Sequence, residues 1–248
     1  MARAERRSRK ARVPARESLE QKKARARRIL RRLEGLYPDA RTALHWQDPW
    51  QLLVATILSA QCTDERVNQV TPGLFRSFPT IRSMAEAPPG TLEEVIRPTG
   101  FYNNKARHIR GAARAILERH AGRVPDTMDE LLALPGVARK TANCVLGSAF
   151  GRVEGIVVDT HVGRLARRLG LTREKDPVKV ERDLMRLFPR RSWIGLAHRL
   201  IDHGRAVCTA RRPPDCEHCT LEDLCPRVGV EQSRGAGAGP GPPRGKRK

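Results

Sequence analysis

Lys140 is a lysine in a chain whose basic residues are mostly arginine, and lysine can act as a nucleophile whereas arginine cannot. Only 9 of the 48 basic residues are Lys, so the composition favours Arg wherever a simple positive charge suffices. An arginine side chain stays protonated and forms no Schiff base, whereas a lysine amine can attack an electrophilic carbon. Lys140 is therefore a candidate nucleophile, and the alternative is an ordinary surface charge.

Asp159 is a second candidate catalytic residue. It follows the apolar run Gly155–Val158 and precedes an amphipathic segment. This position predicts a helix N-cap, in which the carboxylate accepts a hydrogen bond from a backbone N–H. A carboxylate at the mouth of an apolar segment can also stabilise positive charge that develops during a reaction. We expect Asp159 to do both.

Four cysteines with the spacing C-x7-C-x2-C-x5-C predict a metal site near the C-terminus. They are Cys208, Cys216, Cys219 and Cys225. Structural zinc sites usually contain two separated C-x-x-C pairs. One such pair with a longer arm on each side suits an iron–sulfur cluster, and zinc stays the alternative. Cys62 and Cys144 lie in apolar helical segments and are predicted to be core thiols.

Residues 131–147, LLALPGVARKTANCVLG, predict two short helices joined by a tight turn. Pro135 cannot continue the first helix, and Gly136 allows the reversal. The first N–H groups of the second helix have no partner within it, so they can hold a phosphate oxygen. This pattern indicates a helix–hairpin–helix, which binds the DNA backbone without reading its sequence. An ordinary corner between two helices is the alternative.

Helical periodicity and capping residues extend over nearly all of the remaining sequence. Ser18-x-x-Gln21 and Thr91-x-x-Glu94 have the spacing of capping boxes. Apolar residues recur at helical spacing in segments such as 106–117. Only Gly155–Val158 has the character of a strand, so the sequence predicts an all-α fold.

The charge balance indicates a polyanionic partner, because the formal net charge is +21 and the pI is about 11.1. The longest apolar run, Trp50–Ala60, is too short to span a membrane, and no apolar signal core follows the basic N-terminus. We therefore expect a cytoplasmic protein without a membrane partner, in which six cysteines favour metal over disulfides. Residues 1–17 (basic) and 228–248 (Gly/Pro-rich and basic) are predicted to be disordered.

Three strings resemble the endonuclease III family of iron–sulfur DNA glycosylases. They are LPGVxRKTA at 134–142, VDTH at 158–161 and LSAQ at 58–61, and the four-cysteine loop is similar as well. By this resemblance Lys140 is the catalytic lysine, Asp159 is the catalytic aspartate, and the four cysteines bind a [4Fe–4S] cluster.

The resemblance also implies a set of DNA contacts. Gln61 matches a glutamine that fills the gap left by an extruded base, and Phe101 lies where relatives carry an apolar wedge, although a core aromatic is the alternative. Backbone contacts are expected from Gly136, Val137, Ala138, Arg139, Thr141, Arg211 and Arg212. Two features depart from the family pattern: Ala138 stands where a second Gly is usual, and the first cysteine gap has seven residues rather than six.

The fold implied by the resemblance has two lobes and covers about residues 20–227. A six-helix barrel lobe would span 42–152, with the helix–hairpin–helix at about 128–147. An iron–sulfur cluster lobe would combine 18–41 with 153–227.

The activity implied by the resemblance is that of a bifunctional DNA glycosylase and apurinic/apyrimidinic lyase. It would remove damaged bases, chiefly oxidised pyrimidines, from double-stranded DNA through a lysine Schiff base and cut the strand by β-elimination. We expect a monomer associated with the nucleoid. The alternatives are a monofunctional mismatch glycosylase, which Lys140 disfavours, and a non-catalytic metal-cluster protein that binds DNA.

Overall fold

The computed structural model describes residues 17–210 and 213–230, and these residues form eleven α-helices joined by turns and short 3-10 segments. The α-helices are α1 (Leu19–Leu36), α2 (Pro49–Leu58), α3 (Asp64–Ser77), α4 (Ile81–Ala85), α5 (Thr91–Ile96), α6 (Tyr102–Arg119), α7 (Met128–Leu132), α8 (Arg139–Phe150), α9 (Thr160–Arg168), α10 (Pro177–Leu187) and α11 (Trp193–Ala206). No strand occurs in the described part of the chain, and Gly155–Val158 has no regular secondary structure. The all-α prediction is confirmed.

Side-chain caps fix where most of these helices begin. Ser18 and Gln21 form the predicted capping box at the start of α1. The box predicted at Thr91 is wrong, because Gly90 occupies the N-cap of α5 and its N–H donates to Glu93 at 3.0 Å. Gly90 has a φ of +89°, which turns the chain into the helix one residue earlier than expected.

Two separate hydrophobic cores organise the helices. The first contains the buried face of α2 together with buried residues of α3 to α8, between Leu44 and Leu146. The second combines Ala26–Leu33 of α1 with buried residues between Ile156 and Leu224, from α9, α10, α11 and the cysteine-rich segment. Each core removes its own apolar surface from water, so the chain has two packing units. The residue boundaries expected for the two lobes stay a prediction.

Arg25 attaches α1 to the second core. Its buried guanidinium donates to the backbone oxygens of Leu169 at 2.6 Å and Leu224 at 3.0 Å, and it pairs with Glu17 at 2.8 Å. The N–H of Val228 donates to the backbone oxygen of Arg168 at 3.1 Å. Glu17 and Val228 are therefore parts of the folded chain, and the remainder of the predicted N-terminal arm and all but the first residues of the C-terminal tail lie outside the described residues.

None of the helices in the described ranges is both long and apolar enough to cross a membrane.

Candidate functional site

Lys140, Asp159 and Gln61 line one cleft between the two cores. The cleft encloses about 2080 Å³ of space, solvent at its mouth included. A nucleotide extruded from a duplex needs a pocket of its own beside the helix, and this cleft has room for one. The two residues with candidate catalytic chemistry, 19 positions apart in sequence, thus face a common space.

The hairpin that carries Lys140 consists of α7, the turn Leu134–Pro135–Gly136 and α8. Gly136 has a φ of +78°, and a Cβ at this position would lie 2.5 Å from the Cβ of His108 on α6. Only glycine satisfies both conditions, because it accepts the left-handed conformation and has no side chain to collide with α6. Lys140 is the second residue of α8 and is exposed to solvent.

The start of α8 has no side-chain cap, because Ala138 at the N-cap position has no oxygen to offer. The first N–H groups of an uncapped helix are available to a phosphate. Ala138 has a φ of −94°, so the backbone there is extended and does not require glycine. The side chain of Val137 is buried, and its N–H donates to the backbone oxygen of Leu134 at 3.2 Å. The N–H of Val137 is therefore already paired within the turn, and the phosphate contacts expected of this hairpin stay predictions.

Glu181 connects the hairpin to the second core. This carboxylate is only 4% exposed, and it accepts hydrogen bonds from Arg139 at 2.7 Å, Asn143 at 2.8 Å and the N–H of Ile156 at 3.2 Å. A Cβ at Gly155 would lie 1.9 Å from the Glu181 carboxylate, so Gly155 is needed for this close approach. Arg139, predicted to contact DNA, is thus held by an ion pair beside Lys140 and stays half exposed.

Removal of the Glu181 carboxylate should destabilise the fold more than removal of any exposed acid. Glu181→Ala leaves the Asn143 amide and the N–H of Ile156 without their buried acceptor, and an unpaired buried polar group costs about 1–3 kcal/mol. Glu154→Ala is the matched control, because its pair with Arg190, at 3.5 Å, is exposed and contributes about 0–1 kcal/mol. Urea unfolding of both variants measures the difference, and equal midpoints would contradict the role given to Glu181.

Asp159 is the N-cap of α9, as predicted: one carboxylate oxygen accepts the N–H of Val162 at 2.8 Å. The neighbouring His161 is bonded to Arg164 at 3.1 Å, and burial lowers the pKa of its imidazole, so the ring is neutral near pH 7. Arg164 also donates to the backbone oxygen of Cys208 at 3.1 Å. The helix that begins at Asp159 therefore connects the cleft to the cysteine-rich segment.

Asp64 and Arg205 both line the cleft and form an ion pair, in which a guanidinium nitrogen lies 2.8 Å from a carboxylate oxygen. Asp64 is the first residue of α3 and Arg205 lies in the last turn of α11, so the pair joins helices that pack on different cores. The hydrogen bond to Asp64 raises the pKa of the Arg205 guanidinium. This pair could not be predicted from local sequence patterns, because its members are 141 residues apart.

The two residues expected to enter the DNA stack, Gln61 and Phe101, are both exposed and both have left-handed backbones. Their φ angles are +53° and +48°, respectively. Phe101 is 63% exposed, so the alternative of a core aromatic is excluded. Gln61 lines the cleft, while Phe101 lies just before α6 and outside the cleft lining.

The four cysteines Cys208, Cys216, Cys219 and Cys225 line a second, smaller cavity in the segment that follows α11. All four are free thiols. Four protein groups lie within hydrogen-bond distance of these sulfur atoms. Three contain nitrogen: the Arg168 guanidinium at 3.2 Å from Cys208, the His203 ring at 3.4 Å from Cys219, and the N–H of Arg227 at 3.4 Å from Cys225. The fourth is the backbone oxygen of Arg168, at 3.3 Å from Cys225. Arg211 and Arg212, predicted to meet phosphate, lie outside the described residues.

The donor set of this cavity fits a multinuclear metal group. Burial raises the pKa of the Cys216 and Cys219 thiols, and it raises the pKa of Cys225 to about 11. All four side chains are partly buried, and four thiolates gathered there need a positively charged group between them. Within the described ranges no three His, Cys, Asp or Glu side chains are grouped closely enough to hold a metal ion. In a [4Fe–4S] cluster each thiolate binds its own iron, so the ligands surround a volume rather than a point.

Cys144 and Cys62 lie apart from this cavity and pack against the first core, as predicted for core thiols. Cys144 follows Lys140 by one helical turn and lies 3.8 Å from the Thr56 hydroxyl, and burial raises the pKa of its thiol. The protonated thiol is a neutral part of the cleft wall.

Comparison with known proteins shows which protein family this chain is similar to. Residues 54–190 match the model of the HhH-GPD superfamily base excision DNA repair proteins. Endonuclease III of Synechocystis sp. is 56% identical over 205 residues, which cover 83% of this chain and 93% of that protein. A structure of a non-covalent endonuclease III–DNA complex superimposes with a TM-score of 0.78 at 43% identity, over 82% of this chain and 94% of the other. A trapped covalent endonuclease III–DNA intermediate gives the same TM-score and identity, over 82% and 95% of the two chains.

Proposed function

The chain belongs to the HhH-GPD superfamily of base excision DNA repair proteins and, within it, to the endonuclease III family, and from this premise we propose that its cleft excises damaged bases from double-stranded DNA and cuts the strand at the same site. The observation that carries this proposal is the common cleft of Lys140 and Asp159. The covalent intermediate trapped in a similar endonuclease III supports a mechanism that passes through a covalent bond to DNA.

Lys140 supplies the nucleophile in this mechanism. The unprotonated amine donates its lone pair to C1′ of the extruded nucleotide, and the bond between C1′ and the base breaks with its electron pair leaving on the base. The sugar ring then opens to a Schiff base between C1′ and the lysine nitrogen. Loss of a C2′ proton and departure of the 3′ phosphate break the strand by β-elimination, and water releases Lys140.

Asp159 is not the nucleophile in this mechanism; its carboxylate stabilises positive charge on the sugar. Positive charge builds on the sugar as the bond to the base breaks, and a carboxylate in a cleft partly closed to water stabilises that charge strongly. The N-cap bond to Val162 fixes the position of the carboxylate without neutralising it. One side chain thereby caps α9 and supports the reaction.

The hairpin and the charge of the chain hold the substrate. The uncapped start of α8 offers backbone N–H donors beside Lys140, and they suit a phosphate close to the reacting nucleotide. The net charge of +21 adds a sequence-independent attraction that weakens with salt. Contacts of Gly136, Ala138, Arg139 and Thr141 with the backbone belong to this proposal, as do a monomeric state and a cytoplasmic, nucleoid-associated location.

The reaction products test the proposed activity directly. A duplex with one thymine glycol, an oxidised pyrimidine, should yield free base and a nicked strand whose new 3′ end carries the unsaturated sugar of β-elimination. Release of the base with an intact strand would show a monofunctional glycosylase, and binding without either product would show a non-catalytic DNA-binding protein.

We further propose that Cys208, Cys216, Cys219 and Cys225 bind a [4Fe–4S] cluster. The cavity that they share, the four free thiols and the nitrogen groups near three of the sulfur atoms support it. The cluster would cross-link the segment after α11, which has little secondary structure of its own, and so order the loop next to α9.

The purified protein should contain about four irons per chain and absorb broadly in the violet and near ultraviolet. Cys216→Ser should lower the iron content and the melting temperature together, whereas Cys62→Ser, the control on a cysteine outside the cavity, should retain the full iron content. Elemental analysis and absorption spectra measure both quantities. One zinc per chain without iron would overturn the cluster proposal.

A further inference from the structure

Lys105 is a buried lysine that the reaction chemistry does not use. It is 4% exposed, and its ammonium donates to the backbone oxygens of Leu58 and Thr99, each at 2.8 Å. No acidic side chain in the described part of the chain forms an ion pair with it. Burial lowers the pKa of its ammonium, because removing the charged group from water costs free energy.

The two carbonyl groups that Lys105 binds end two neighbouring segments. Leu58 is the last residue of α2, and Thr99 is the last residue of the 3-10 segment Arg97–Thr99. Carbonyl groups at helix ends have no partner within the helix, so a buried lysine can satisfy both. Lys105 therefore connects the end of α2 to the end of the 3-10 segment, 41 residues apart in sequence.

Each of these ends leads directly into a residue expected to enter the DNA stack. Gln61 follows Leu58 by three residues, and Phe101 follows Thr99 by two. We name residues 59–62 and 99–102 the insertion loops. The N–H of Lys105 donates to the backbone oxygen of Phe101 at 3.1 Å as the first hydrogen bond of α6, and the side chain adds the bond to Thr99.

Both insertion loops have strained backbones at the inserting residue. Gln61 and Phe101 account for two of only four non-glycine residues with positive φ in the described chain, at +53° and +48°. Such conformations persist only where the surroundings fix them. Lys105 is hydrogen-bonded to the residue just before the first loop and to the first residue of the second loop. An apolar residue in its place would leave the carbonyl groups of Leu58 and Thr99 without this donor.

We propose that Lys105 is a positioning residue that fixes the two insertion loops relative to each other, so that Gln61 and Phe101 enter the duplex together and extrude the damaged nucleotide. This inference rests on the proposed function. It assigns to Lys105 no contact with the reacting atoms, because its effect passes through the loops. A defect in Lys105 should therefore slow extrusion of the nucleotide and spare the chemistry that follows.

The test compares two substrates in single-turnover reactions of Lys105→Met, which replaces the methylene part of the side chain by an unbranched apolar one and removes its donors. Excision of thymine glycol, which requires extrusion of a paired and stacked base, should fall about 10–100-fold. Nicking of a pre-formed abasic site, whose sugar leaves the stack at little cost, should fall less than about fivefold. Lys179→Met, the same change on an exposed lysine of α10, is the control and should leave both rates unchanged.

Two further measurements separate positioning from a purely structural role. In a Gln61→Ala, Phe101→Ala background the Lys105→Met change should slow excision by no more than about twofold, because the side chains it positions are gone. Hydrogen exchange should accelerate in residues 59–62 and 99–102 and stay unchanged in α8. Equal losses on both substrates, additive losses in the triple variant, or a lower melting temperature with normal excision would each overturn the inference.

The outcome stays interpretable if a variant or the proposed function fails. Should Lys105→Met not fold, Lys105→Gln, which keeps N–H donors on a shorter side chain, is taken through the same assays. Failure of the parent protein to excise or nick would overturn the proposed function. The exchange experiment needs no DNA, so it would still show whether Lys105 links the two insertion loops.

Discussion

Lys140→Arg should leave the protein able to bind abasic-site DNA and unable to nick it. The guanidinium preserves the charge that meets the phosphates, but it cannot lose a proton and form a Schiff base. Removal of a covalent nucleophile costs several orders of magnitude, so we expect the nicking rate to fall at least about 10⁴-fold. Lys140→Ala should nick no faster and bind more weakly, because it removes the charge as well.

The control for Lys140→Arg is Lys175→Arg. Lys175 is exposed and lines the same cleft, so the control makes the same chemical change in the same electrostatic surroundings. Single-turnover nicking and equilibrium binding of both variants give the comparison. Nicking by Lys140→Arg within about tenfold of the parent would show that another residue is the nucleophile.

Asp159→Asn should separate catalysis from stability. Loss of one group that stabilises a charged transition state usually costs about 10²–10³ in rate, and we expect base excision to slow by this factor. Asn caps helices about as well as Asp, so the melting temperature should shift by only a few degrees. The variant should still bind abasic-site DNA, because removal of an anion from the cleft does not weaken attraction for phosphate.

The control for Asp159→Asn is Asp48→Asn. Asp48 caps α2 with the same kind of bond, at 2.9 Å to the N–H of Gln51, and lies outside the cleft lining. It should melt like the Asp159 variant and excise at the parental rate. Near-normal excision by Asp159→Asn with a large fall in melting temperature would show that Asp159 is only a cap.

Local features of the sequence predicted most of the helices and the nature of their ends. The N-cap role of Asp159 and the turn at Pro135–Gly136 both follow from residue types over three or four positions. The prediction at Thr91 failed for a local reason as well, because the chain ahead of it places Gly90, a residue free to adopt positive φ, at the cap position.

Long-range polar pairs could not be derived in this way. Glu181 receives bonds from three different segments, and the partners of Lys105 are two carbonyl groups that only the folded chain brings together. A weak signal existed for both: Glu181 falls on the buried stripe of α10, and Lys105 falls on that of α6, one turn before Ile109. A charged residue at a core position predicts a buried partner but does not identify it.

Borohydride trapping followed by peptide mapping tests the central claim most directly. The protein is mixed with a duplex that contains one abasic site, the Schiff base is reduced to a stable amine, and the digest is searched for the peptide that carries the sugar. A single adduct on Lys140, absent from Lys140→Arg and present in Lys175→Arg, is the predicted result. An adduct on another lysine, or strand cleavage without any adduct, would contradict it.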